Sequence, residues 1–272
     1  MVSRLGFKEQ DTVVHRLNAG MKMCCLILVV VGIMLWPSWR LSLIVLTAVL
    51  ATFRIAKIRL DMTRGRIRFL FVFSCLILLL QILVTANGSV LFFLIPRLGE
   101  LGPLVPVTDF GVEKGLAIAI RFLVVVLSSM LFVSVTDPTL LAYSLTKLGI
   151  QYKYAFALVI ALRFLPLFDS ENDTVRMAQR SRGISIEVGS ISKILRATRY
   201  TFFPLLVSAL SKVEALSLSM DGRGFGYSDR RTYLRTPEWH RADTIVLFAS
   251  IGFLSLCLLL GLGLLPQLSA YL

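Results

Sequence analysis

The chain has 272 residues, 56% hydrophobic and 17% charged, with a mean hydropathy of +0.79 and a net charge of +13. Soluble chains lie nearer ~45–50% apolar and ~25% charged, so the composition excludes an ordinary cytosolic domain and a disordered tail. Four cysteines in this length exclude a disulfide scaffold, and a basic excess on so apolar a chain marks the cytoplasmic side of a membrane protein rather than a nucleic-acid binder.

The first 22 residues carry Arg4, Lys8, Arg16 and Lys22 and lack the layout of a cleaved signal peptide. Spanning the hydrocarbon takes about 20 mostly apolar residues. Residues 23–36 and 41–53 form one apolar block, interrupted by Trp36-Pro37-Ser38-Trp39-Arg40. The proline stops a helix and the paired tryptophans suit an aromatic belt, so this reads as a hairpin of two short arms. Residues 67–86 and 116–135 are further spans, the latter with Arg121 placed to snorkel near one end. A last span runs over 244–265, where Gly252, Gly261 and Gly263 predict close helix packing.

Flanking charge sets the orientation. Residues 54–68 hold six basic residues against Asp61; 87–110 hold Arg97 against Glu100 and Asp109; 147–243 hold fifteen basic and nine acidic residues. The first and third segments are therefore expected in the cytoplasm and the second outside. Five spans then put the N-terminus inside and the C-terminus outside. Cys24, Cys25, Cys75 and Cys257 fall in apolar spans as small buried residues, and His15 and His240 flank them. No spacing predicts a metal site or a cofactor.

Residues 136–243 are too long for a connector and too apolar for a solvated loop. Asp137-Pro138-Thr139 predicts a helix start, an N-cap followed by proline at the first helical position. Leu140, Leu141, Ser144, Leu145 and Leu148 share a face, and Gly149 closes the helix. Residues 152–168 are apolar but carry Arg163 and Pro166, so they predict a helix buried against other spans that enters the membrane only partway. From Asp169 the pattern turns polar, and the helix is expected to end at Ser181-Arg182-Gly183. A second long helix follows from about Ile194, with a kink or break at Pro204. Leu206, Leu210, Val213, Leu216 and Met220 form one face, packed on the protein or lying at the membrane interface; Ser208, Ser211, Lys212 and Ser219 fall elsewhere. It ends at Gly222-Arg223-Gly224.

Two helices thus each end in Arg-Gly. Glycine favours the left-handed position that closes a helix, and arginine suits the negative end of its dipole. A long planar fork at a blunt helix end can dock in another protein's groove and make two hydrogen bonds to a carboxylate. Two such ends suggest two copies of one partner or two related partners.

The sequence resembles the transmembrane T component of energy-coupling factor transporters, the EcfT/CbiQ/BioN family. The resemblance rests on the two Arg-Gly motifs, on Leu162-Arg163-Phe164-Leu165-Pro166 ahead of Glu171, and on Ala178-Gln179-Arg180 leading into the first motif. It rests also on the helix from Asp137-Pro138 to Gly149-Ile150, and on His15-Arg16-Leu17-Asn18 with Lys22. Ser181 and Gly222 stand where the family usually has alanine, both small. The resemblance implies an all-α polytopic membrane protein of about five spans (four to seven) plus long cytoplasmic coupling helices. Its regions would be a four-span part over 1–135, a coupling region over 136–242 and a final span over 243–272. It implies a non-catalytic subunit in a prokaryotic cell membrane. Two ABC-type ATPases would receive Ser181-Arg182-Gly183 and Gly222-Arg223-Gly224, supported by Arg163, Pro166, Glu171 and Gln179. An integral-membrane substrate-binding S component would deliver a vitamin or a transition-metal ion. The sequence has no GxxxxGK[ST] phosphate loop, so ATP chemistry would come from other chains. The alternatives are a stand-alone secondary transporter or channel, for which Arg121 and Arg163 are the candidate ionisable positions, and a membrane enzyme, against which stands the lack of HExxH and GxSxG.

Overall fold

The computed structural model describes residues 10, 12–36, 38–57, 64–85, 87–95, 104–183, 191–227 and 239–262. Nine helices and one two-stranded ribbon are formed among the described residues. The short α1 (Val13–Arg16) precedes α2 (Ala19–Leu35) and α3 (Trp39–Ile55). Then come α4 (Arg64–Val84), β1 (Val90–Ile95), β2 (Leu104–Thr108) and α5 (Asp109–Val135). The chain finishes with α6 (Pro138–Lys147), α7 (Tyr152–Ser181), α8 (Ile191–Gly222) and α9 (Arg241–Gly261). This is the all-α polytopic membrane protein expected.

Small polar residues start several helices at the predicted kinds of position. The Asn18 side chain accepts from the Gly20 amide, Ser38 from Leu41, Thr108 from Gly111, and Asp137 from Thr139. Each satisfies an amide that the helix itself leaves open. The chain divides into two units, Met1–Ser144 with Pro237–Leu272, and Leu145–Thr236.

In the first unit the core is apolar and sits among α2, α3 and α5: Ile33, Val45, Val49, Phe53, Ile120 and Val124, with Phe253 of α9 packed against it. Outside, Phe71 of α4 is 72% exposed and Phe248 of α9 is 69% exposed. A rim of large apolar side chains is what lipid as solvent selects. Among the described residues four helices are long and apolar enough to cross a membrane: Ile67–Val84, Asp109–Val135, Thr198–Gly222 and Arg241–Gly261, with Ala19–Leu35 as a shorter apolar helix. Helices α2 and α3 have 17 residues each, about 26 Å at 1.5 Å per residue, which is a little short of the hydrocarbon thickness.

Three expectations change. The arms on either side of Trp36 are not a packed hairpin: α2 packs chiefly on α9, and α3 on α5. Pro37 itself lies outside the described residues. Residues 87–110, read only as a segment outside the membrane, contain the antiparallel β1–β2 ribbon, pairing Val90↔Thr108 and then, after a shift between Val90 and Phe92, Phe92↔Val107, Phe93↔Pro106 and Ile95↔Leu104. Of the glycines of the last span, Gly261 does sit against α2, where a Cβ would lie 3.6 Å from the Leu35 carbonyl, but the tightest approaches are made elsewhere. A Cβ at Gly252 would meet nothing within 4 Å, and Gly263 lies outside the described residues. At Gly32 of α2 a Cβ would come 2.7 Å from the Phe253 ring, and at Gly115 of α5 it would come 3.1 Å from the Leu78 carbonyl of α4. The small residue belongs to the opposing helix because the α9 side of the contact already carries a phenylalanine.

Gly115→Val is expected to destabilise the α4–α5 contact by roughly 1–3 kcal/mol, since backbone cannot yield as a side chain can. Gly252→Ala is expected to be neutral. Thermal unfolding of the purified protein in detergent, followed by tryptophan fluorescence, checks both.

Candidate functional site: an antiparallel helix pair ending in two arginines

The second unit is built on α7 and α8. Tyr152 and Phe156 of α7 stack on Phe225, just past α8, with centroids 5.8 and 4.6 Å away. Midway, Glu171 Oε2 accepts from Ser208 Oγ at 2.5 Å and Oε1 pairs with Lys212 Nζ. Near the far end the Gln179 side-chain amide donates to the Tyr200 carbonyl at 3.2 Å. Partners therefore rise along one helix as they fall along the other, and the pair is antiparallel over its full length.

Both prolines lie inside continuous helices. Pro204 does not break α8. It has no N–H to give to the carbonyl four residues back, which is Tyr200. That carbonyl is the one Gln179 reaches, and Gln179 is buried. A carbonyl left open inside one helix is satisfied by a side chain from the other.

The faces of α8 differ from the reading above. Ser208, Lys212, Leu216 and Met220 turn inward, half-buried. Leu206, Leu210 and Val213 are exposed, with Phe202, Phe203 and Val207 beside them. The polar stripe meets α7, and most of the apolar face looks out. Lys212 and Ser208 hold the Glu171 carboxyl below the usual carboxylate range. The ion pair is thus complete at neutral pH, and its stabilisation is lost only as pH falls through that lowered value.

Each motif forms the local geometry that closes a helix. After α7, Arg182 is the C-cap, Gly183 takes φ +77°, and its amide donates to the Arg180 carbonyl at 2.9 Å. After α8, Gly224 takes φ +67°, donating to Asp221 at 2.9 Å, while the Phe225 amide donates to Met220 at 3.0 Å. Those two bonds make a Schellman closure with glycine at the left-handed position. Ser181, Arg182, Gly222 and Arg223 are exposed, and Ser181 Oγ donates to the Met177 carbonyl at 3.1 Å.

The pairing levels place Arg223 opposite the Phe156 region. Arg182 lies about 26 residues further along α7, so roughly 39 Å separates the two arginine ends along the pair. The structure does not bring the motifs together; it sets them at opposite ends of the pair. Glu171 and Gln179 act at the seam, whereas Arg163 and Pro166 are exposed on α7. The sequence reading placed Ser208 and Lys212 off the apolar face of this helix without giving them a role, and it missed Phe225, which stacks at the α8 end. Arg121 in α5 has Nε and one Nη buried without a hydrogen-bond partner among the described residues, and no acidic group joins it there. No cluster of potential metal ligands occurs among the described residues.

The chain matches the family CbiQ, cobalt transport protein, over residues 10–234. It belongs to that family, the T components of energy-coupling factor transporters. It is 28% identical over 265 residues to the energy-coupling factor transporter transmembrane protein EcfT of Macrococcus caseolyticus, covering 93% of this chain and 96% of the relative. The protein of the same name from Thermotoga maritima is 25% identical, covering 91% of this chain and 90% of the relative. That from Exiguobacterium sibiricum is 31% identical, covering 69% and 71%. As a T component the chain is a multi-pass membrane subunit of a transport system, and its paired arginine ends lie in the part of the sequence that the family match covers.

The seam can be tested by a double-mutant cycle. Gln179→Leu leaves the Tyr200 carbonyl open and is expected to cost about 1–3 kcal/mol. Pro204→Ala restores an intrahelical donor to that carbonyl, so Gln179→Leu should cost much less in its presence. Thermal unfolding of the four proteins measures the coupling.

Proposed function

We propose that this chain is the energy-coupling subunit of an ATP-driven importer. Its two arginine ends dock two cytoplasmic ABC-type ATPases, identical or related. The observation that carries this reading is the pair of exposed Arg-Gly helix ends set roughly 39 Å apart along one antiparallel seam. A single docking end needs no such spacing. Each arginine is exposed at a helix C-terminus, where its planar fork can pair with a carboxylate in a groove. The chain supplies no ATP chemistry; its partners hydrolyse ATP, and it passes on the motion.

A substrate-binding S component in the membrane is the third partner. The outward apolar face of α8, from Phe202 to Val213, offers it a greasy surface, as do the exposed apolar side chains Tyr154, Leu158 and Leu165 of α7. Substrate specificity rests with that component, and the cargo is a vitamin or a transition-metal ion. The family's description as cobalt transport supports the second class. ATP binding and hydrolysis shift the coupling helices, and each partner must favour one conformation over the other for that shift to do work. Residues 1–135 form the four-span part, 136–242 the cytoplasmic coupling region and 243–272 the final span, with the N-terminus inside and the C-terminus outside.

Arg182→Ala and Arg223→Ala are each expected to weaken ATPase docking by about 1.5–3 kcal/mol, the range for charge-assisted hydrogen bonds. The double variant should insert normally, lose its ATPases on purification in mild detergent and fail in uptake. Full copurification and wild-type uptake by the double variant would overturn the assignment. The orientation predicts that a cysteine at Tyr227, which is 95% exposed, reacts with a membrane-impermeant maleimide only after the cells are permeabilised. Labelling of intact cells would place this segment outside.

A further inference from the structure

The chain leaves the first unit after Ser144 and returns to it at Pro237. Those two crossings are the covalent necks that join Leu145–Thr236 to the rest of the chain. Within the first unit, the residues beside both necks meet one side chain and one backbone amide of Asn18. Ser144 Oγ, on the outgoing neck, lies 3.2 Å from Asn18 Oδ1 and 2.9 Å from the Leu140 carbonyl, so its single proton is shared between the side chain across the contact and its own helix. The Asn18 amide donates to Oδ1 of Asp243, near the returning neck, at 2.9 Å. The other Asp243 oxygen accepts the His240 amide at 2.8 Å, so this carboxylate, which has no exposed surface, is tied on both sides. Lys22 closes the knot by donating to the carbonyls of His15 at 3.0 Å and Val135 at 3.2 Å, the latter ending α5.

This is a large investment of buried polar groups for an apolar bundle. A buried carboxylate and a buried asparagine are costly unless all their bonds are made at once. Capping alone does not require them to converge, because Asn18 could cap α2 and Asp243 could bond the His240 amide without touching each other or Ser144. What their meeting accomplishes is to bind the start of α2, the middle of α6 and the start of α9 into one joint. The approach is tight: a Cβ built on Gly20 would lie 3.0 Å from Ser144 Cβ.

We propose that Asn18 is a positioning residue for energy coupling: with Asp243 and Ser144 it forms a clasp that stays shut through the transport cycle. The clasp makes both necks move as one, so that displacement of the coupling helices enters the bundle and is not absorbed by fraying at either neck. This rests on the energy-coupling reading above.

The test has one arm on the chain alone and two in the assembled transporter. In the isolated chain, Asn18→Ala should speed hydrogen exchange in Pro138–Lys147 and at the start of Arg241–Gly261 together; a rise confined to one of them overturns the joint. In proteoliposomes holding the complex with its ATPases and S component, Asn18→Ala should keep ATP hydrolysis while uptake per ATP falls by at least about fivefold, the lower end of ordinary coupling energies. Unchanged uptake per ATP overturns the proposal. The third arm uses a background with the four native cysteines replaced and carrying Gly20→Cys and Ser144→Cys. Their Cβ atoms need to relax only slightly to reach the about 3.5–4.5 Å of a disulfide. The reduced protein lacks the Ser144 hydroxyl and should already lose uptake per ATP; oxidation should restore it, with Asn18 present or replaced by alanine. A further fall in uptake on oxidation, reversed by reductant, would show that the clasp must open. Failure of the wild-type complex to couple ATP to uptake at all would instead strike the functional reading, while the exchange arm would still judge the joint.

Discussion

A buried backbone or side-chain polar group must find a protein partner, and this constraint organises both units of the chain. It explains why the places where helices are anchored to one another are polar although the chain is largely apolar. Pro204 opens a carbonyl and Gln179 closes it from the neighbouring helix. Asn18 and Asp243 satisfy each other while capping their own helices. Glu171 is held by a serine and a lysine from one stripe of α8. Apolar contacts in such a protein have to compete with lipid tails, which are equally good partners for leucine. Hydrogen bonds and close steric fit, as at Gly32 and Gly115, therefore decide which helix packs on which.

The charge excess reads differently once its residues are located. Lys212 is inward and spent within the chain. Lys22 is tied to carbonyls where α1, α2 and α5 approach. Arg182 and Arg223 remain exposed at helix ends. One composition figure therefore combines structural cations, topological cations and cations left available for a partner.

Much of the fold was legible because it is local. The proline at position 138, the glycines at 149, 183 and 224 and the apolar runs give the helix ends to within a few residues, since caps and the left-handed closing residue are properties of short segments. The choice of neighbours was not legible. A run such as 23–36 announces that it is buried in something apolar, and nothing in its own spacing distinguishes α9 from α3. The setting of the apolar face of α8, on the protein or at the membrane interface, stayed open for a related reason. Periodicity shows that leucines share a side, but in a membrane protein the apolar side can be the outside, and only the position of α7 decides. The ribbon at 90–108 was hidden because its strands are short and Pro106 argues against a strand. Gln179 was singled out by resemblance, yet its physical task emerges only when Pro204 is placed opposite it.

The antiparallel seam has a consequence for symmetry. Two helices running in opposite senses are exchanged by a half-turn about an axis perpendicular to the pair. The arginine ends lie at corresponding extremes, so that axis crosses the pair midway between them, close to where Glu171 meets Ser208. The chain therefore presents a local twofold arrangement of two like helix termini. A partner assembly that is itself a dimer could engage both termini in the same way, each half meeting an arginine that follows an equivalent last turn and precedes a glycine in the same left-handed state.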